Sequence, residues 1–348
     1  MRTITMFLCF FVLLGQGALQ AADPIDDPEV LESYPKPTTA YYKYLQARRL
    51  ECTGDGNVLD APVEMKIGKQ TFTYSGPALT LKGKDPDGVV TLGVMGAVKD
   101  FGAESKKALK FYMDQFEKDK VDAILLLGDI AASEFELTQI LLFCAKRGWP
   151  VLALIGNSEG RAAFNRAMLA ALKAADNIIN MDFVRRVDLG GAVLVSLPGY
   201  LDRRFVHQTS GCTYKRRDIK RMRKLLKGID SPIVFVSHGP PKGSGNKALD
   251  YAAEGGNVGD QLITDFLRDN KIAFGLFSHI IEAGGQTVDS QGKAVAENKW
   301  VDSLNINVGS ANPLSWQLNS GKLSCGMAAT VRIKESKASY KLLNYPCK

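Results

Sequence analysis

Beyond residue 88 the chain alternates short, uninterrupted apolar runs with stretches whose apolar positions recur every three or four residues. Residues 89–95, 123–127 and 151–155 read as strands. Each is followed by an amphipathic stretch, at 104–118, 133–146 and 162–174, that reads as a helix. Strands that are apolar on both sides and separated by helices belong to a parallel sheet covered on both faces. A β-rich passage follows, 185–189 and 192–197 around a Gly190-Gly191 turn, and then strands at 232–236, 273–277, 305–308 and 328–331. Upstream the pattern is different. Residues 22–40 are rich in Pro, Asp and Thr and read as an extended leader; residues 41–88 mix one short helix with strand-like runs and read as a small β-rich appendage.

The first residues carry a separate signal. Met1-Arg2-Thr3, an apolar run from Ile4 to Leu14 and a small, polar stretch to Ala21 follow the order of a secretory signal peptide, with cleavage after Ala21. The run is shorter than the roughly 20 apolar residues that span a bilayer, so no transmembrane span is expected. An exported, soluble protein, periplasmic or extracellular, is the expectation. Removing the signal deletes Cys9 and leaves Cys52, Cys144, Cys212, Cys325 and Cys347. Export permits disulfides, and an odd number leaves at least one thiol free. Cys144 lies in an apolar helical pattern and reads as a core residue, whereas the pairing of the others is not readable. No CxxC pair exists, which disfavours a cysteine zinc site.

The net charge of +7 is concentrated in places. Residues 215–227 hold eight basic side chains, with Ile219, Met222, Leu225 and Leu226 at helical spacing. Such a helix has either a solvated cationic face or a surface for an anionic polymer or membrane. Aromatic residues are not interleaved with it, so specific nucleic-acid recognition is not expected.

The candidate chemistry sits where strands end. Gly128-Asp129 follows the second strand, Gly156-Asn157-Ser158-Glu159 the third, Ser237-His238-Gly239-Pro240-Pro241 a later one, and Ser278-His279 the next. An Asp, an Asn and two His at strand C-termini form an N/O donor set suited to a transition metal. Singly, Asp129 or Asn157 also reads as a helix cap and His238 as a satisfied histidine at a turn. The remaining histidine, His207, reads either as an exposed loop residue or as one reaching the site.

Taken in order, Gly128-Asp129, Gly156-Asn157-x-Glu159, Ser237-His238-Gly239 and His279-x-x-Glu282-Ala283-Gly284-Gly285 resemble the calcineurin-like metallophosphoesterases over about residues 89–345. Asn307-Val308-Gly309-Ser310 is similar to that family's closing strand, and His238-Gly239-Pro240-Pro241 with Gly255 to Asp260 resembles its phosphodiesterase-like branches. The resemblance implies an α/β sandwich of two mixed sheets flanked by helices, here with a small β-rich N-terminal extension. It also implies two metal ions held by an Asp-x-His motif, a bridging Asp, an Asn followed by His, a lone His and a His-x-His pair. On this chain Gly96 and Val98 stand at the Asp-x-His positions, Ser158 stands where the catalytic His follows the Asn, and Ile281 replaces the last His. Asp129, Asn157, His238 and His279 match the ligands of the other metal.

The resemblance therefore implies one divalent ion (Mn, Fe or Zn) on Asp129, Asn157, His238 and His279, with Asp129, Asn157 and His238 serving catalysis. Lys99 and Arg161 are candidates to replace the lost cation, each with an ordinary surface role as the alternative. The function expected is hydrolysis of a phosphoester, with a phosphodiester favoured. The alternatives are an impaired pseudo-phosphoesterase that binds a phosphorylated or polyanionic ligand, and an exported binding protein that engages an anionic partner through its basic helix.

Overall fold

The computed structural model describes residues 36–53, 62–83 and 87–347. The expected signal peptide and its cleavage point, and the leader as far as residue 35, lie outside the described residues. Helix α1 (Lys36–Ala47) precedes strands β1 (Val63–Ile67), β2 (Gln70–Ser75) and β3 (Ala78–Leu81). Alternation then begins: β4 (Val89–Met95), α2 (Ala103–Asp119), β5 (Ala123–Leu127), α3 (Glu134–Ala145), β6 (Val151–Leu154), α4 (Arg161–Leu172) and β7 (Ile178–Asn180). The second half contributes β8 (Arg186–Asp188), β9 (Val193–Leu197), α5 (Arg216–Met222), β10 (Ile233–Ser237), β11 (Tyr251–Ala252), β12 (Gly256–Asn257), α6 (Gln261–Asp269) and β13 (Phe274–Phe277). It closes with β14 (Thr287–Val288), β15 (Leu304–Asn307), β16 (Trp316–Gln317), β17 (Leu323–Ser324), β18 (Met327–Lys334) and β19 (Lys337–Asn344).

Two mixed sheets result. One has nine strands in the order β1-β2-β3-β8-β9-β10-β13-β15-β14, the other six in the order β19-β18-β4-β5-β6-β7. Each has a parallel centre, β9-β10-β13-β15 in the first and β4-β5-β6-β7 in the second. The strand alternation shows why the apolar runs are uninterrupted. Leu194, Val234, Val236 and Leu276 point into the large core shared with the six-stranded sheet. Their neighbours Val195, Phe235 and Phe277 point the other way, against Ile219 and Met222 of α5 and Ile263 and Phe266 of α6. Both faces are buried, so both sets are apolar.

The β-rich stretch between residues 41 and 88 forms the edge of the main sheet, because β3 pairs in parallel with β8. Helix α1 packs in the same core through Tyr41, Tyr42 and Tyr44, and the Tyr41 hydroxyl accepts the Asn180 N–H at 2.6 Å. The basic helix expected over 215–227 is shorter: α5 ends at Met222, and residues 223–228 form turns closed by Gly228 at φ 65°. Ile219 and Met222 are buried while Leu225 and Leu226 are only partly so, which leaves too little apolar anchorage to extend a helix of like charges.

Four of the cysteines pair as Cys52–Cys212 and Cys325–Cys347, and Cys144 is free and buried in α3. The first bridge ties the chain after α1 to the loop following β9. No helix among the described residues is long and apolar enough to cross a membrane.

Candidate metal centre

Both parallel centres deliver ligands to one cleft. Asp129 follows β5 and Asn157 follows β6 in the six-stranded sheet; His238 follows β10 and His279 follows β13 in the nine-stranded sheet. The carboxyl ends of parallel strands are where α/β sheets form their binding crevices. The approach is close enough to require glycine. Gly128 has φ 81°, and a Cβ there would lie 2.5 Å from Gly156 Cα and 2.8 Å from His238 Nδ1. Gly128→Ala is expected to cost roughly 3 kcal/mol of stability, from backbone strain added to the clash. It should also weaken divalent-metal binding; denaturant unfolding and a metal titration measure the two effects.

The donor atoms converge. His238 Nε2 lies 2.7 Å from Asn157 Oδ1 and 3.3 Å from Asp129 Oδ1. His279 Nδ1 lies 3.0 Å from His238 Nε2 and 3.1 Å from Asn157 Oδ1. Asp129, His238 and His279 alone bring one ligand atom each within 4.8 Å of one another. Neighbouring groups fix which atoms face inward. His238 Nδ1 is 2.7 Å from the Leu127 carbonyl, which can only accept, so Nδ1 carries the proton and Nε2 presents a lone pair. Asn157 Nδ2 donates to the Phe205 carbonyl at 2.6 Å, which turns Oδ1 inward. Two bare acceptors 2.7 Å apart repel unless a cation lies between them. Ligands about 2.1 Å from an ion and at right angles around it are about 3 Å apart, the spacing of this set. The residues therefore fit a divalent metal.

Electrostatics agree with that reading. Burial raises the Asp129 carboxyl, but the facing His238 and the Lys99 ammonium outweigh burial and hold it below the usual carboxylate range. Its Oδ1 also accepts the N–H groups of Asn157 (3.2 Å) and Ser158 (3.0 Å). Burial lowers both histidines, and burial together with the nearby His238 takes His279 down to about 3, so both rings are neutral and able to ligate at neutral pH. Glu159 is pushed up by burial and by Asp129; it accepts the N–H groups of Gly156 (2.9 Å), Asp129 (3.2 Å) and Ile130, and so welds the two ligand loops together.

The positions matching the first metal of the resembled family look different. Gly96 has no room for a side chain: a Cβ would lie 2.0 Å from Ser278 Oγ, which donates to the Gly309 carbonyl at 2.9 Å. Val98 is buried and Ile281 opens a short 3-10 turn, and neither offers a polar side-chain atom. Lys99 Nζ lies 2.5 Å from Asp129 Oδ2. Arg161, the first residue of α4, uses its backbone N–H on the Ser210 carbonyl, and among the described residues no ion pair of its side chain is seen.

The loop after β9 completes the cleft. The Tyr200 ring lies 4.4 Å from that of His279, and the His207 N–H donates to the Asn157 carbonyl at 2.9 Å. His207 is exposed, and its Nδ1 is 3.4 Å from Ser158 Oγ, beside the position where the resembled family carries its catalytic His. Tyr200 and the Phe205 and Leu127 carbonyls were not marked by the sequence pattern, and Ser278 was marked only as the neighbour of His279. Glu159 was visible only as part of the Gly156-Asn157-Ser158-Glu159 motif.

Comparison with known proteins bears on the fold and the family. No curated protein sequence matches the chain. A solved structure with 13% identity has a TM-score of 0.51 over 74% of this chain and 100% of its own. A dimetal phosphatase from Danio rerio has 13% identity and a TM-score of 0.49, covering 74% of this chain and 99% of its own. GAP50, the anchor in the inner membrane complex of Plasmodium, has 12% identity and a TM-score of 0.47, covering 74% of this chain and 84% of its own. The calcineurin-like phosphoesterase family model matches residues 100–283, more than half of the sequence, beginning just past Val98 and ending at Ala283. With that match and two mixed sheets delivering an N/O donor set to one cleft, this chain belongs to the calcineurin-like phosphoesterase family.

Proposed function

We propose that the protein hydrolyses a phosphoester, with a phosphodiester favoured, using one divalent ion held by Asp129, Asn157, His238 and His279. The observation that carries this reading is the 2.7 Å approach of His238 Nε2 to Asn157 Oδ1, two acceptors held inward by hydrogen bonds on their far sides. A divalent ion there supplies Lewis-acid charge to a phosphoryl oxygen. The chain's own residues do the rest. Asp129, anchored by two backbone N–H groups, keeps the donor set rigid, and Tyr200 and the loop after β9 wall the cleft on one side. His207 stands at the Ser158 position, where a proton for the leaving oxygen is needed. A diester carries one negative charge where a monoester carries two, which suits a site with less positive charge than a pair of divalent ions. Action after export, in the periplasm or outside the cell, is part of the proposal.

The second reading, a pseudo-phosphoesterase that binds a phosphorylated ligand without turning it over, is favoured by Ser158 and by Ser278 filling the space at Gly96. One assay separates the two. Turnover of an activated phosphodiester should be abolished by chelation and restored by Mn or Zn. His207→Ala should reduce it about 100-fold, the lower end of the scale of lost general-acid help, with metal binding intact. Phosphate binding with no turnover under Mn, Fe or Zn would establish the second reading instead.

A further inference from the structure

Beside the four-donor cluster, this chain has its own groups at the positions that match the first metal of the resembled family. Ser278 fills the volume next to Gly96, and the Lys99 ammonium is on Asp129 Oδ2 while Oδ1 of the same carboxylate faces His238 Nε2 at 3.3 Å. One carboxylate thus serves the ligand cluster with one oxygen and a lysine with the other. The Lys99 side chain is 35% exposed and that of Asp129 4%, so the ammonium joins the buried carboxylate to solvent. An ammonium has three donors. One is used on Asp129, and among the described residues no second acceptor for Nζ is seen.

The backbone goes to unusual lengths to place this group. Ala97 (φ 47°) and Lys99 (φ 74°) are both left-handed, as are the ligands Asp129 (φ 53°) and His279 (φ 70°). Non-glycine residues pay for that conformation only where their surroundings impose it, and such residues gather at functional sites. The surroundings here do impose it. The Lys99 N–H donates to the Asp129 carbonyl (3.1 Å) and the Ala97 N–H to the Gly128 carbonyl (3.0 Å). Ser310 Oγ donates to the Ala97 carbonyl (2.9 Å), and Asn312 Nδ2 to the Val98 carbonyl (2.8 Å).

We propose that Lys99 is the built-in second cation of this site, holding a phosphoryl oxygen of the substrate beside the divalent ion. The proposal rests on the phosphoesterase reading above and assigns within it a binding residue. The lysine forms and breaks no covalent bond; it binds by charge and hydrogen bonding, from a compact point charge that suits a phosphoryl oxygen.

The test uses the full protein and the variants Lys99→Met and Lys99→Arg, with Mn and inorganic phosphate as probes in calorimetric titrations and a thermal melt to verify folding. Wild type should take one Mn ion per chain. Lys99→Met should still take one, about tenfold more tightly, because a cation beside Asp129 has been removed. Phosphate binding to the Mn-loaded protein should move the opposite way, weakening about 10- to 100-fold in Lys99→Met and returning to within about threefold of wild type in Lys99→Arg. A lysine that merely braced the loop would not shift the two ligands in opposite directions. Two Mn ions per wild-type chain, or undiminished phosphate affinity in folded Lys99→Met, overturns the proposal. Wild type that binds no Mn at all would instead overturn the phosphoesterase reading beneath it.

Discussion

Asp129→Ala is expected to remove bound metal and to lower phosphoester turnover at least about 10³-fold, the largest effect of any single substitution in the cleft. The reason is the number of groups that converge on one buried carboxylate. Oδ1 accepts the N–H groups of Asn157 and Ser158 and faces His238, while Oδ2 holds Lys99. Alanine leaves the buried Asn157 N–H and the partly buried Ser158 N–H unsatisfied and a lysine without its counter-charge, which should also cost about 3 kcal/mol of stability. Asp129→Asn separates the two consequences. It keeps the shape and one acceptor oxygen, so stability should largely return, but it lacks the charge that a divalent ion and Lys99 both need, so metal content and turnover should stay low. Elemental analysis, a diester assay and denaturant unfolding read the three quantities. Full metal occupancy in Asp129→Ala would exclude it as a ligand.

The second large effect is on pH. His238 and His279 are both lowered, chiefly by burial, with His279 reaching about 3. In the unfolded chain a histidine takes its proton near pH 6.5. Between that value and the lower folded one, the unfolded state binds more protons, so stability rises with pH. It is fully present above about pH 6.5 and is lost as pH falls toward 3. Inside that window His279 contributes up to about 1.4 kcal/mol per pH unit, discounted because it is only partly buried, and His238 acts in the same direction. The chelated protein is therefore expected to lose about 1 kcal/mol more stability between pH 6.5 and 5 than its chelated His279→Gln variant, measured by urea unfolding of both at the two values; the raised carboxyl of Glu159 acts in the opposite direction over this interval in both proteins and drops out of the difference. Metal affinity should fall over the same interval, since protons and the ion compete for the same lone pairs. Identical pH slopes for the chelated wild type and His279→Gln would show that this ring is not held neutral by the fold.

How much of this was legible in the sequence depends on what each residue faces. The central strands at 89–95 and 123–127 were readable to the residue because both faces are buried, and Thr91 is the one polar side chain in the two runs. Strand β19 was not read. It lies at a sheet edge with Lys337 and Asn344 exposed and Lys341 in its middle, so its pattern resembles a loop. Helix α5 was over-read because like-charged residues at helical spacing look the same whether the backbone turns every 3.6 residues or closes into single turns. The ligands were visible because each sits directly after a strand that was itself visible. Their supports were not. The Phe205 and Leu127 carbonyls are backbone atoms that every residue has, and Phe205 reaches Asn157 across 48 positions of sequence. Likewise, no spacing rule links Cys52 to Cys212, 160 residues apart, although that bridge anchors the loop carrying Tyr200 and His207.

Lys99 was visible as a cation next to a degraded motif, and the fold brings it onto Asp129. Gly96 is the converse case. Its lack of a side chain could be read from the sequence, but the Ser278 side chain that fills its place comes from the other sheet.

Anomalous diffraction from crystals grown with Mn or Zn tests the central claim most directly. One peak per chain is predicted, about 2.0–2.3 Å from Asp129 Oδ1, Asn157 Oδ1, His238 Nε2 and His279 Nδ1, with the Lys99 ammonium still on Asp129 Oδ2. A second peak on the Lys99 side of Asp129, or no peak within reach of the four donors, would contradict it.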